Sequence, residues 1–251
     1  MSEKELKETK IQLVHDCIQN AINMFYSLGK GLNNDKYKLS FKFHGRFIIR
    51  CLQSDNLEKR IYAVNYINDK ISSKENINHD LIYKLILEEQ VMQLLLGDNI
   101  HDELLKRSVS IFAFMAKYNK DSHNNELEGF PDEIIDLLWD NYLTKHESIS
   151  SQIKIIICKI SHHLPFNKKQ HLYKRFKNIA PQLEKSSPIE YLVFLTKLTK
   201  GCLRHANLIK LKDLNEIKTN EGDLYGIPVI YNNLISSQNV NEIEDYSTNL
   251  L

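Results

Sequence analysis

The chain of 251 residues is 42% hydrophobic and 26% charged, proportions typical of a folded protein that buries a core. Its 33 Lys and Arg residues balance 32 Asp and Glu residues, which argues against nucleic-acid binding because such proteins carry a basic excess. No run of about 18 apolar residues is present, and the segment after Met1 is charged. We therefore expect no transmembrane helix, no signal peptide and a cytoplasmic location.

Apolar residues recur at helical spacing along most of the chain, and the helix-breaking residues Pro and Gly are scarce. The pattern predicts a first helix over residues 5–28 and a polar connection over residues 32–40. It also predicts a polar loop over residues 119–129 and a final helix over residues 227–237. Between these segments the sequence predicts four pairs of helices: 42–52 with 55–72, 79–96 with 101–119, 131–143 with 146–163, and 167–179 with 187–205.

The second helices of these pairs begin near residues 55, 101, 147 and 187, at spacings of 46, 46 and 40 residues. Helical solenoids of the HEAT and armadillo type repeat every ~40–47 residues. At a shift of 47 residues the first two of these helices also match in detail, since Lys59 and Arg60 correspond to Lys106 and Arg107. We therefore predict an all-α fold, an armadillo/HEAT-like superhelix of stacked helix pairs, rather than an irregular helical bundle.

Three segments are expected along the chain. Residues 1–40 form an N-terminal helix and connection, residues 41–237 form the armadillo-like helical repeat domain, and residues 238–251 form a flexible, acidic C-terminal tail. In the repeat domain, the second helices are expected to line the inner face of a right-handed superhelix. Solenoids hold their partners on such extended faces.

The cysteines give no recognisable nucleophile. Cys17, Cys51, Cys158 and Cys202 are far apart in sequence and lie in apolar helical contexts, which predicts buried, reduced thiols rather than disulfides. The closest thiol and base are Cys158 and His162, four residues apart on one predicted helix. Because Cys158 belongs to an apolar stripe, its thiol is interpreted as core packing, and no catalytic residue is expected.

Three histidines and five cations cluster in one part of the sequence: His162, His163, His171, Lys168, Lys169, Lys174, Arg175 and Lys177. Cations repel a metal ion, so this cluster is interpreted as a solvated helix face rather than a metal site. Tyr173 and Phe176 lie among these cations, which makes a partner surface a second interpretation. No Gly-rich phosphate loop is present, and we expect neither a metal nor a cofactor.

Four segments of the chain carry a resemblance to a known family: FHGRFIIRCLQSDNLEKRIYAVNYINDKIS from Phe43, LGDNIHDELLKRSVSIFAFMA from Leu96, LLWDNYLTKHESISSQIKIIICKISHHLPFNKKQHLYKRF from Leu137 and LYGIPVIYNNLISS from Leu224. These segments resemble the helical, non-catalytic region of very large ubiquitin-specific proteases of the fat-facets type. The resemblance implies an armadillo-like scaffold that lies beside a papain-like catalytic domain in that family. The Cys box of that domain, Gly-x-x-Asn-x-Gly-Asn-Thr-Cys, surrounds none of the four cysteines, and the His box is also absent. The resemblance therefore assigns no catalytic residue.

The sequence thus predicts a non-catalytic helical-repeat scaffold for protein–protein interaction, similar to a segment of a large deubiquitinating enzyme. We expect a monomer that binds protein partners, among them ubiquitin-pathway substrates, and neither nucleic acid nor membranes. Two alternatives stay open: a generic adaptor or transport-receptor-like solenoid unrelated to ubiquitin, and a cysteine-dependent hydrolase whose site the sequence does not reveal. The predicted partner-binding residues are Glu58, Lys59, Arg60, Glu103, Lys106 and Arg107.

Overall fold

A computed structural model of the chain describes residues 10–28, 33–73, 79–121 and 130–203. Within these ranges the backbone is helical apart from short turns and contains no strand, which confirms the predicted all-α fold. The described helices are α1 (Ile11–Leu28), α2 (Asn33–Gln53), α3 (Leu57–Ser72), α4 (His79–Glu88), α5 (Val91–Leu96), α6 (Asp102–Asp121), α7 (Asp132–Thr144), α8 (Glu147–Ser161), α9 (Phe166–Ser186) and α10 (Pro188–Leu203).

The four second helices begin at Leu57, Asp102, Glu147 and Pro188, each within two residues of its predicted start. Local capping chemistry explains this agreement. The side chain of Asn56 caps α3 by accepting a hydrogen bond from the Lys59 amide at 3.1 Å. Acidic residues also lie in the first turn of each of these helices, where they interact favourably with the helix dipole.

The predicted polar connection over residues 32–40 is wrong, and residues 119–121 of the predicted polar loop belong to α6. The polar connection over residues 32–40 is helical from Asn33 onward, because this segment contains polar side chains but no Pro or Gly to stop a helix. The predicted final helix over residues 227–237 and the predicted tail over residues 238–251 lie outside the described residues, as do residues 122–129 of the predicted polar loop.

The predicted helix over residues 79–96 is broken into α4 and α5 at Gln90, which adopts the left-handed conformation with φ 51° and ψ 40°. A non-glycine residue in this conformation costs roughly 1–3 kcal/mol. The break turns the short helix α5 so that Val91, Met92, Leu95 and Leu96 are all buried. Burying each such side chain contributes about 1.5–3 kcal/mol, which outweighs the local strain.

The chain divides into two compact units, Met1–Ile111 and Phe112–Leu251, with the division inside α6. In the first unit, α2 packs against α1, α3 and α5, and α4 packs against α3 and α5. In the second unit, α7 and α8 form one helical hairpin and α9 and α10 form another. The first helices of the two hairpins, α7 and α9, pack against each other, and so do the second helices, α8 and α10.

An aromatic cluster forms the core of the second unit. The ring of Trp139 on α7 lies 6.0 Å from the ring of Phe176 on α9 and 5.7 Å from that of Phe194 on α10, measured between centroids. Phe176 and Phe194 meet edge to face at 5.6 Å, a geometry that aromatic pairs favour. Trp139 is the single tryptophan of the chain, so its fluorescence reports on this unit alone.

Ion pairs join α7 to α9 outside this core. Asp132 pairs with Lys168 at 2.9 Å, and Asp136 lies 3.0 Å from Nε2 of His171. The guanidinium of Arg175 contacts both Asp136 and Asp140 at 2.9 Å. These contacts fix the register of the two first helices along each other.

The two second helices approach closely at Gly201 on α10. A Cβ atom at this position would lie 2.9 Å from the Cβ of Ser161 at the end of α8, and closer still to the Ser161 hydroxyl oxygen. That hydroxyl is buried and donates a hydrogen bond to the Cys158 carbonyl at 2.7 Å. Gly201 is therefore required by packing, because α8 and α10 could not keep this distance with a larger residue.

We expect Gly201→Ala to lower the free energy of unfolding of the second unit by about 1–2 kcal/mol. Overpacking costs typically 1–3 kcal/mol, and the better helix propensity of Ala returns up to about 1 kcal/mol. Urea unfolding followed by circular dichroism, which reports on the helices of both units, measures the change in each variant. Gly45→Ala is the matched control, because there a Cβ would meet only the mobile end of the Leu85 side chain, at 3.0 Å. Equal effects of the two substitutions would contradict this account.

A buried histidine lies where α1, α2 and α3 meet. The ring of His44 on α2 stacks on Tyr66 at 5.7 Å and lies 5.7 Å from His15, while the Tyr62 hydroxyl contacts Nδ1 of His15 at 2.9 Å. Nε2 of His44 has no hydrogen-bond partner among the described residues. Burial, followed by the positive charges of His15 and Lys70, lowers the pKa of His44 from 6.5 to about 4. The native first unit thus holds His44 in its neutral form.

We predict that this histidine makes the first unit sensitive to acid. Because the pKa of His44 is about 6.5 in the unfolded chain and about 4 in the native state, the unfolded chain takes up the proton first as the pH falls. Stability is therefore retained above pH 6.5 and lost between pH 6.5 and pH 4, with about 2 kcal/mol lost at pH 5. Urea unfolding at pH 7.5 and pH 5, followed by circular dichroism, measures the loss. His44→Phe, which keeps the stacked ring, should show a smaller loss, and an equal loss would refute the assignment.

Candidate functional site

Four of the six predicted partner-binding residues lie at the surface. Glu58, Lys106 and Arg107 are exposed, and Glu103 is half-buried. Within α6, the carboxylate of Glu103 pairs with the guanidinium of Arg107 at 2.7 Å. Exposed pairs of this kind contribute little to stability, so these side chains are free to exchange their internal contact for a contact with a partner.

The other two predicted residues, Lys59 and Arg60, are buried, with exposed fractions of 5% and 6%, so their assignment to an exposed face is wrong. The guanidinium of Arg60 donates to the carbonyl oxygen of Leu94 at 3.0 Å and also to that of Asn99. It therefore supplies hydrogen-bond donors to two carbonyl oxygens, one in the last turn of α5 and one in the turn after it, that lack a donor within the helix. The ammonium of the buried Lys59 has no hydrogen-bond partner among the described residues.

The repeat register explains this error. A shift of 47 residues equates Lys59 and Arg60 with Lys106 and Arg107, although the first pair is buried and the second is exposed. The two helices match in burial when they are aligned by their first residues, Leu57 and Asp102, and Arg60 then corresponds to the buried Leu105. The alignment by sequence identity therefore differs from the alignment by burial by two residues.

We predict that the two arginines differ in their contribution to stability. Arg60→Ala should lower the free energy of unfolding by roughly 2–3 kcal/mol, because it removes two charge-assisted hydrogen bonds and leaves buried carbonyls without donors. Arg107→Ala should cost only about 0.3–0.5 kcal/mol, the value of an exposed helical ion pair. Urea unfolding followed by circular dichroism compares the variants. Similar losses in the free energy of unfolding would contradict this difference and would support the alignment of Arg60 with Arg107.

A groove of about 310 Å³ lies between α8 and α10 in the second unit. Its lining includes four lysines and no carboxylate. Ile155, with an exposed fraction of 50%, and Cys158 add apolar surface to the groove. The lining residues are Lys154, Ile155, Cys158, Lys159 and His162 from α8 and its end, and Lys197 and Lys200 from α10.

The lysines of the groove come from both helices and face one another. Lys154 on α8 and Lys197 on α10 both act electrostatically on the thiol of Cys158, so the two ammonium groups converge on the same region. The Lys154 ammonium also lies 5.3 Å from the centroid of the Phe194 ring, a cation–π distance. Lys154, Lys159 and Lys197 form no salt bridge within the described part of the chain.

The sequence analysis missed this groove. The available signal was that second helices are expected to line the partner face of a solenoid, and α8 and α10 are both second helices. Lys154 and Lys197 lie in the middle of these helices, where a lysine neither caps a terminus nor offsets the helix dipole. The pairing of the two helices across the groove became visible only in three dimensions.

Three of the four cysteine thiols are poor nucleophiles. Desolvation raises the pKa of Cys158 to about 11, although Lys197 and Lys154 act in the opposite direction. Desolvation likewise raises the pKa of Cys51 to about 11 and that of Cys202 to about 12. A cysteine nucleophile attacks as its thiolate, so these three thiols are protonated and inert at neutral pH. Cys17 is exposed.

Most side chains of the cation cluster on α9 form ion pairs or hydrogen bonds within the second unit. Lys168, His171 and Arg175 contact the aspartates of α7 described above. Lys169 is buried and donates through Nζ to the carbonyl oxygens of Gly201 and Cys202 at 3.3 and 2.9 Å. The interpretation of this cluster as a solvated face is therefore wrong for Lys169. Lys174 and Lys177 are exposed, so the interpretation as a partner surface stays open for these two residues.

Among the residues that the structure describes, no group of three or more His, Cys, Asp or Glu side chains could hold a metal ion. Within the same ranges, no helix has the length and apolar character needed to cross a membrane. The sequence matches no protein-family model and no curated protein sequence. The functional argument therefore depends on the geometry of the described units.

Proposed function

We propose that this chain is a non-catalytic helical-repeat scaffold that binds protein partners along the side formed by its second helices. The observation that carries the proposal is the arrangement of the second unit. Its first helices, α7 and α9, pack together through aspartates and cations, whereas its second helices, α8 and α10, pack together and leave a groove open to solvent. Helical solenoids use the side lined by one helix of each pair to hold partners.

The chemistry of the second helices favours binding over catalysis. The groove contains a thiol and an imidazole, Cys158 and His162, which are the residue types of a cysteine hydrolase. However, burial raises the pKa of Cys158 to about 11, whereas such enzymes depend on a thiolate. Exposed lysines with an apolar floor suit recognition by charge and by contact area.

The finer proposal concerns architecture and pathway. The second helices start at regular intervals along the chain, which supports an armadillo-like superhelix as the arrangement of the pairs. The resemblance to large ubiquitin-specific proteases supports a role as a scaffold region in ubiquitin removal, in the cytoplasm. This pathway assignment depends on the sequence resemblance alone.

Site-specific photocrosslinking tests the scaffold proposal. A photoreactive amino acid is placed at Ile155 in the groove or, as a matched control, at the exposed Gln170 on α9, and the full chain is irradiated in cell extract. We expect a protein adduct, identified by mass spectrometry, from position 155 and none from position 170. Absence of an adduct at position 155, or equal adducts from both positions, would contradict binding along the second helices.

A thiol-reactive ubiquitin probe forms the second arm of this experiment. We expect no attachment of the probe to Cys51, Cys158 or Cys202, because their thiols are protonated. A small alkylating reagent is the control and should modify the exposed Cys17 first. Attachment of ubiquitin to any of the three buried thiols would overturn the non-catalytic assignment in favour of a cysteine-dependent hydrolase.

A further inference from the structure

We propose that the groove between α8 and α10 binds an acidic, extended segment of a partner protein, with an apolar side chain placed between carboxylates. This inference rests on the proposed scaffold function and adds the chemistry of the partner. It begins from the lining of the groove, which contains four lysines and neither Asp nor Glu. Of these, Lys154 and Lys197 form no salt bridge within the described part of the chain.

Local roles explain only part of this charge. Lys159 and Lys200 lie in the last turns of α8 and α10, where a cation offsets the negative end of the helix dipole. Lys154 and Lys197 have no such role, and they line the groove from opposite helices. Like charges that line one groove repel each other unless an anion lies between them or solvent screens them. A carboxylate of a partner provides that anion.

The floor of the groove distinguishes a peptide from other anions. Ile155 is half exposed, and the neutral thiol of Cys158 and the ring of Phe194 under the Lys154 ammonium add further apolar surface. An apolar side chain of a peptide can cover this floor while flanking carboxylates reach the lysines. A free phosphate or sulfate ion has no group that would cover it.

The charge of the whole chain favours the same partner. The cations of the groove are lysines, which act as point charges on a carboxylate or a phosphate alike. The chain as a whole has a formal charge of only +1, which does not suit a nucleic-acid-binding protein. Carboxylates of Asp and Glu are therefore the best match to the groove.

The groove is held open by rigid contacts. The close approach at Gly201 sets the distance between α8 and α10, and Lys169 holds the carbonyls of Gly201 and Cys202 at the end of α10. Because both walls are fixed before binding, a partner segment bears little of the cost of ordering the site. An extended peptide of a few residues fits a groove of about 310 Å³.

Fluorescence anisotropy with the full chain tests the inference. The probe is a labelled peptide of alternating Glu and Leu, and the comparison peptide has Gln in place of every Glu. We expect the acidic peptide to bind, to bind about tenfold more tightly than the Gln peptide, and to weaken at higher salt. In the variant Lys154→Glu/Lys197→Glu, affinity for the acidic peptide should fall by about tenfold or more.

Two controls make the result specific. Lys84→Glu/Lys174→Glu changes the net charge equally at two exposed positions outside the groove, and this variant should bind the acidic peptide like the unmodified chain. Trp139 fluorescence and circular dichroism confirm that each variant is folded. Equal loss in both variants would show a general charge effect and overturn the proposed site.

A single-stranded DNA oligonucleotide is the competing probe. Tighter binding of DNA than of the acidic peptide, abolished by Lys154→Glu/Lys197→Glu, would overturn the peptide in favour of a nucleic acid. If the acidic peptide does not bind but a protein adduct still forms from position 155, this inference fails while the scaffold function stands. If neither occurs, the scaffold function fails as well.

Discussion

The contact between Gly201 and Ser161 is the constraint on which the second unit depends. It brings the second helices of two successive hairpins side by side at one end. The first helices are joined differently, by ion pairs and by the aromatic cluster around Trp139. Close packing at one point and charged contacts elsewhere leave room along α8 and α10 for a groove. The position of the groove is thus a consequence of where a glycine permits the helices to meet.

Burial decides which cations are available to a partner. Arg60 and Lys169 lie on helices, as the exposed lysines do. Each of them, however, donates hydrogen bonds to two carbonyl oxygens at the C-terminal end of another helix or in the turn that follows it. Such carbonyls have no partner within their own helix, and a buried cation satisfies two of them at once. Lys154 and Lys197 lie in the middle of their helices and have no carbonyls to satisfy. Their charge therefore acts outward, into the groove.

The sequence predicts local features of this fold better than its contacts. Helix starts such as Leu57 and Glu147 follow from caps and acidic first turns, which are encoded within a few residues. The left-handed break at Gln90 carries no local signal, because it is caused by the burial of the apolar residues that follow it. The burial of Lys59 and Arg60 likewise depends on α5, a distant segment of the chain. The groove was missed for the same reason, since its two walls are separated in sequence and joined only by packing.

The groove also shows that positive charge beside a thiol does not by itself produce a nucleophile. Lys154 and Lys197 lower the pKa of Cys158, but desolvation prevails and raises it to about 11. A carboxylate bound between these lysines would cancel their effect and remove more water, so the pKa of Cys158 would rise further. Occupation of the groove by an anion therefore stabilises the neutral thiol. A bound acidic segment and a reactive thiolate at Cys158 are thus incompatible in the same groove.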